Sequence, residues 1–248
     1  MILQQLKRMT GNGLNSLAAH RNAWWFKGVH RDSPTRLEHL KVPNRALLPC
    51  IFIDPLSIEY KCNIRGDAAT VRRLFLAGDW DLKRKSFADV DTADPRYVTC
   101  RELVVDELPI EETTEFHELV ERLARHGEAR GMRSRDAIIR YMTQLRTFYL
   151  QIKDDGRLRT QAELGNGSHG GEINCAVGRD GVLLKTNDGN HRLAIARLLK
   201  LERVPVQISV MHVDLLPAVR ELCPTAATRA VNLYFRRIEQ SYSRASIA

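Results

Sequence analysis

The densest group of chemically able residues stands at 188–192: Asp188, Gly189, Asn190, His191 and Arg192. A strand that ends in Asp-Gly and passes straight into a helix suits an anion. Gly189 permits backbone geometry that a Cβ would obstruct. The first helical turn leaves amide N–H groups unpaired and points the positive end of its dipole outward. Phosphate is the commonest biological anion to use such a terminus. Arg192 falls in that first turn, where a guanidinium grips phosphate through parallel hydrogen bonds. A cation there opposes the dipole, which makes most sense with an anion between them. Asn190 and His191 add donors. The plainer alternative is a polar helix start, capped by Asn187 or Asp188, with Arg192 in solvent.

Further candidates lie elsewhere in the chain. Glu172 heads the preceding strand and suits a general base or a Mg2+ ligand; the alternative is a surface glutamate beside a flexible loop. Asp79 and Asp81 flank Trp80. Two carboxylates so spaced on a turn suit a divalent cation, and Asp81 also suits base catalysis. The alternative is the ordinary polarity of a helix stop. Ser168-His169-Gly170-Gly171 can close over phosphates as a lid, with His169 as a further contact. His169 and His191 lack partners at metal-ligand spacing, which disfavours zinc. The sequence carries no nucleophile elbow, Walker A loop or Gly-x-Gly-x-x-Gly fingerprint,.

The elements that must position these residues can be read in outline. Residues 46–58 predict a buried strand bracketed by Pro49 and Pro55. Asp67 is expected to cap a helix running to Leu76, with Val71, Leu74 and Phe75 inward and a stop at Gly78. Two amphipathic helices are expected at 114–125 and 134–153 and read as core. Residues 172–178 and 182–184 predict a hairpin turning at Arg179-Asp180-Gly181. The turn at 187–189 then leads to a helix carrying Leu193, Ile195, Ala196, Leu198 and Leu199. A strand over 204–210 and helices after Asp214 follow.

The run 188–196, its leucine-rich helix and the later Val204-Pro205-Val206 resemble the signature of the ParB/sulfiredoxin superfamily, over residues 172–210. The resemblance implies an α/β (α+β) domain with a small mixed sheet and flanking helices, and nucleotide binding at the turn. Members of that superfamily include partition proteins that hydrolyse CTP and clamp DNA, ATP-dependent sulfiredoxins and free-serine kinases. Asn190 stands where sulfiredoxins carry a catalytic cysteine, and no helix-turn-helix module is identifiable after Val210. The Asp-Gly-x-x-Arg form is closer to the kinase-like branch. The resemblance therefore implies a nucleotide-dependent phosphotransferase or nucleotide hydrolase that uses ATP, ADP or CTP with Mg2+ and an unknown acceptor. Asp188, Gly189, Asn190, His191, Arg192 and His169 would hold phosphates. Glu172, Asp81 or His191 would serve catalysis, and Asp79 with Asp81 the metal.

Composition bounds these readings. The chain has 248 residues, a 44% hydrophobic fraction and a formal charge of +8. That is enough for a core, which argues against global disorder. Residues 1–45 carry eight Lys or Arg against Asp32 and Glu38, and are expected to form a basic helical extension to a single domain over 46–248. A second reading follows: a non-enzymatic nucleic-acid-binding or nucleotide-switch module that uses this extension. A third is a peripheral membrane or assembly contact through the same segment. No apolar run suits a transmembrane helix, and no secretory signal is evident. Five scattered cysteines form no C-x-x-C pair. They read as buried thiols in a reducing cytoplasm.

Overall fold

The stretch Val204–His212 forms strand β7, and all nine of its residues are buried. A strand buried on both faces belongs inside a sheet with cover on each side. The computed structural model describes residues 37–40, 49–64, 73–164 and 171–243. It places β7 in a mixed, open, seven-stranded sheet. The order is β1 (Cys50–Ile53), β7, β5 (Ile173–Val177), β6 (Leu183–Lys185), β2 (Tyr60–Cys62), β4 (Arg84–Ser86). β1 runs antiparallel to β7 and β5 parallel to it. β5 and β6 form the expected antiparallel hairpin. β2 joins β6 in parallel, and β4 closes the edge antiparallel to β2. Pro205 is tolerated in β7 because its partner Phe52 gives its N–H to Glu239 (2.9 Å). The two residues therefore exchange no ladder bonds, and on the other side Pro205 precedes the β5 pairing, which begins at Ile173 with Val206,.

Seven α-helices occur among the described residues: α1 (Phe87–Ala93), α2 (Pro95–Val104), α3 (Thr114–His126), α4 (Arg135–Asp155), α5 (Asn190–Leu198), α6 (Leu216–Leu222) and α7 (Ala227–Ser241). The helices read at 114–125 and 134–153 are α3 and α4. Ser134 caps α4 by accepting from Ala137 N (3.2 Å), and Gly156 ends it at φ 63°,. α4 buries Ile138, Met142, Leu145, Tyr149 and Ile152, each contributing roughly 1.5–3 kcal/mol. α2 has almost no amphipathic bias. Its start is marked instead by the cap Asp94, which accepts from Arg96 N (3.2 Å), and by Pro95 in the first turn,.

One expectation is corrected. The helix expected from Asp67 to Leu76 has its first part at 65–72, outside the described residues. Its last residues, Phe75–Leu76, form strand β3, parallel to β7 at Met211 and His212. β7 outruns β1, and its open edge there takes the segment as a strand; Met211 N donates to Leu74 O (2.7 Å). Of the segment expected as the basic extension, residues 37–40 are described. Leu37 and Leu40 are buried in the core, and Leu74 N donates to Leu40 O (3.2 Å). The rest of the expected basic extension, 1–36 and 41–45, lies outside the described residues, and so does the nucleic-acid contact assigned to it. Among the described residues no helix is long and apolar enough to cross a membrane.

Candidate functional site

β6 ends at Lys185 and α5 begins at Asn190, and the turn between them is tightly held. Gly189 sits at φ 76° as the N-cap of α5, and no side chain caps that helix. A Cβ on Gly189 would lie 2.4 Å from the Glu172 carbonyl oxygen and 2.6 Å from Ile173 Cα. Glycine is thus demanded by close approach to the start of β5 as well as by its φ. Asn174 N donates to Asp188 O (3.2 Å), and Thr186 N and Oγ1 both donate to Asn174 O (2.9 and 3.0 Å). The buried Lys185 ammonium donates to the carbonyls of Thr186 and Asp188. The Asp188 side chain is exposed.

Successive helical residues point about 100° apart, so the first three residues of α5 face different neighbours. His191 Nε2 lies 2.8 Å from Glu115 Oε2 and 3.1 Å from Oε1. Glu115 is fully buried and also receives Arg130. Tyr141 accepts from Arg130 (3.2 Å) and stands 3.5 Å from His191 Nε2. Burial alone would raise the Glu115 carboxyl, but the His191 hydrogen bond and the two cations outweigh it and hold it below the usual range,. α3 and α4 are thus more than core, since they supply Glu115 and Tyr141.

Arg192 is buried and faces the other way. Its Nη2 donates to Glu172 Oε2 (3.1 Å) and to the Arg159 carbonyl. Glu172 also accepts from Gln161 N (2.6 Å). Here burial wins: the Glu172 carboxyl is raised despite the Gln161 N–H and Arg192. Nε and Nη1 of Arg192 are buried without a hydrogen-bond partner among the described residues. The guanidinium in solvent that the plainer reading required is not found.

Asn190 faces a cleft of about 1130 Å³, which it lines together with Asn187. Asn190 Nδ2 donates to Asn187 O, while its Oδ1 is buried and unpartnered. Lys61, Lys83, Arg84, Lys85 and Arg96 also line the cleft, against the carboxylates Asp79, Asp89 and Asp94. Part of this cation set is a row across the sheet. Lys85 pairs with Lys61, and Lys61 with Lys185, in register on three adjacent strands. Like charges placed directly opposite repel. Lys61 is held by Asp94 (2.6 Å). Lys185 is fully buried, and burial pushes its ammonium down to about 7,. Lys83 and Lys85 are exposed and have no ion-pair partner among the described residues. The start of α2, with Asp94, Pro95 and Arg96, forms the facing wall.

The acidic pair is placed differently from the expectation. Asp81 is fully buried and accepts from Arg179 N (2.8 Å) and from the Arg179 guanidinium at 3.0–3.2 Å. Asp79 also receives Arg179 (2.7 Å). Burial opposes ionisation of Asp81, but the Arg179 bonds prevail and lower its carboxyl. Arg84 joins the cluster through Asp180 (2.8 Å). This network ties the 78–81 loop to the tip of the β5–β6 hairpin. Its carboxylates are spent on arginine, and no group of three or more His, Cys, Asp or Glu suited to a metal occurs among the described residues. Through Arg179, Asp79 and Asp81 anchor the 78–81 loop. His169 lies outside the described residues. Cys62, Cys100 and Cys175 are buried; burial lifts Cys62 to about 11 and Cys175 to about 12, so both remain thiols near neutral pH,.

The turn thus brings Asn190, His191, Arg192 and Glu172 close in the chain but sends them to separate surroundings. Lys61, Lys85, Arg96, Glu115 and Tyr141 were not singled out from sequence. Asp94-Pro95 is a legible helix start beside one of them, whereas the lysine row exists only through strand pairing. Comparison with protein-family models, with curated proteins and with solved structures finds no match to this chain.

Proposed function

We propose that the chain binds a nucleotide by its phosphates, in the cleft between the start of α2 and the uncapped start of α5. The observation that carries this reading is the in-register row of Lys85 and Lys61 over buried Lys185, beside a helix start with no side-chain cap. Adjacent strands stand about 4.8 Å apart, so Lys85 and Lys61, the latter shared with Asp94, set two cations side by side in the cleft wall, with Lys185 buried beneath. Free helix amides favour an anion at the same place. The resemblance at 188–196 extends the reading to a nucleotide-dependent phosphotransferase or hydrolase that takes ATP, ADP or CTP. Phosphoryl transfer depends mainly on positioning and charge neutralisation, which a cationic cleft supplies.

The cleft residues fit a phosphate chain. A Mg2+ site on Asp79 and Asp81 does not fit, because Arg179 occupies both carboxylates. His191 and Arg192 act in this account as buttresses of the turn, through Glu115 and Glu172. The test is calorimetric titration of ATP, ADP, CTP and GTP, with Mg2+ in the buffer, into the wild type and a Lys85→Glu/Arg96→Glu variant. A glutamate in the first turn of α2 suits the helix dipole, so the variant is expected to fold. Micromolar binding of one nucleotide, weakened at least about tenfold by the reversal (~1.4 kcal/mol), is the expected result. No binding to the folded wild type, or equal binding to both proteins, overturns the reading.

A further inference from the structure

The cleft has a second character besides charge. Trp80 is the one aromatic side chain lining it among the described residues. Its ring is held from behind. Nε1 donates to Leu76 O (3.3 Å), and the ring packs on His212 with centroids 6.0 Å apart. The loop beneath is fixed by Arg179, which donates to Gly78 O (3.0 Å), Asp79 and Asp81. Trp80 keeps part of its surface exposed in the cleft. The cluster that removed Asp79 and Asp81 from metal binding therefore presents a pre-positioned indole at low ordering cost.

Topology sets the ring and the helix start at opposite ends. The 78–81 loop is tied to the hairpin tip at Arg179, where β6 begins, and the Asn187–Asn190 turn follows where β6 ends. At a strand rise of ~3.3 Å per residue, the run from Val182 to Thr186 spans roughly 13 Å. That is the length scale of a nucleoside carrying a phosphate chain. We infer that Trp80 is the stacking platform for the base of the bound nucleotide, with the phosphates running toward Lys61 and the α5 start. This rests on the phosphate-cleft reading. Stacking on an aromatic face is available to every base, so the ring adds affinity without dictating which base binds.

The test separates the two ideas by ligand. ATP and inorganic tripolyphosphate are titrated into the full-length wild type, Trp80→Ala and Trp80→Phe. The inference expects Trp80→Ala to weaken ATP roughly ten- to hundredfold, to leave tripolyphosphate unchanged, and Trp80→Phe to recover most of the loss. If tripolyphosphate binds the wild type as tightly as ATP, or if Trp80→Ala weakens both ligands alike, stacking is overturned while the phosphate cleft stands. If ATP depends on Trp80 and tripolyphosphate does not bind at all, the phosphate cleft falls, and with it the inferred path of the phosphates toward Lys61. Absence of binding by either ligand overturns both.

Discussion

The first turn of α5 has two sides built from similar residue types. On the side facing α3 and β5, His191 meets Glu115 and Arg192 meets Glu172, with both carboxylates fully buried. On the cleft side, Lys83 and Lys85 lie exposed without ion-pair partners among the described residues, and Asn190 Oδ1 is buried without a hydrogen-bond partner among them. Exposed, unbalanced charge marks a place where something else binds, whereas buried ion pairs hold the backbone, even though Arg192 Nε and Nη1 find no hydrogen-bond partner among the described residues,. Residue type alone does not separate the two sides, since histidine and arginine, the more suggestive residues, fall on the side of the buried ion pairs.

The largest expected break in this contrast is Glu115→Ala. It leaves Arg130 and His191 facing a buried gap, at a cost of about 3–5 kcal/mol, readable as a lowered urea midpoint. Nucleotide affinity of the folded protein should stay near wild type. The pair also has a pH signature. Because the Glu115 carboxyl is held below its usual 4.5, its stabilisation is complete above that value and is lost as pH falls through the lower, folded value. Glu172 has the opposite sign. Its raised carboxyl withdraws stability as pH climbs from the usual 4.5 through the folded value,. Acid unfolding of Glu115→Gln and Glu172→Gln against the wild type checks both signs.

Gly189→Ala comes next. A methyl 2.4 Å from a main-chain oxygen at positive φ should cost about 2–4 kcal/mol. Unlike Glu115→Ala, it should disturb the cleft as well, since Asn190 follows directly. Lys185 gives a smaller effect. Its ammonium falls from 10.5 unfolded to about 7 folded, so the unfolded chain binds more protons between those values. Stability should therefore rise with pH across that window, on the order of 2 kcal/mol from pH 7 to 9. Lys185→Met should flatten the rise in thermal melts. Salt produces the smallest effect. Raising it from 0.05 to 0.5 M should weaken nucleotide binding several-fold through the exposed cleft cations, while the buried Glu115–His191 pair is barely screened.

Much of the fold was legible because it is local. The β5–β6 hairpin, the 187–189 turn, α5 and β7 follow one another within the chain, and α3 and α4 show their periods openly. The segment before Gly78 misled because Leu74 and Phe75 suit a helix face, yet the free edge of β7 at Met211 captures the chain as a strand. The need for glycine at 189 was legible, while its cause, the backbone of Glu172 and Ile173, was not. Nor was the lysine row, which joins residues 61, 85 and 185 through strand register alone. Arg192 illustrates the limit best. Its type and helical position suggest a phosphate clamp, and only the fold reveals Glu172 opposite it.

The most direct measurement follows backbone amide resonances of the full-length protein as ATP is added. Saturable shifts are expected to concentrate on Gly189, Asn190, His191, Lys61 and Arg96, with the Trp80 indole N–H moving as well and the Glu115 amide nearly still, if a nucleotide binds in the cleft. Saturable shifts confined to other parts of the sheet, or none at millimolar ATP, would contradict binding there.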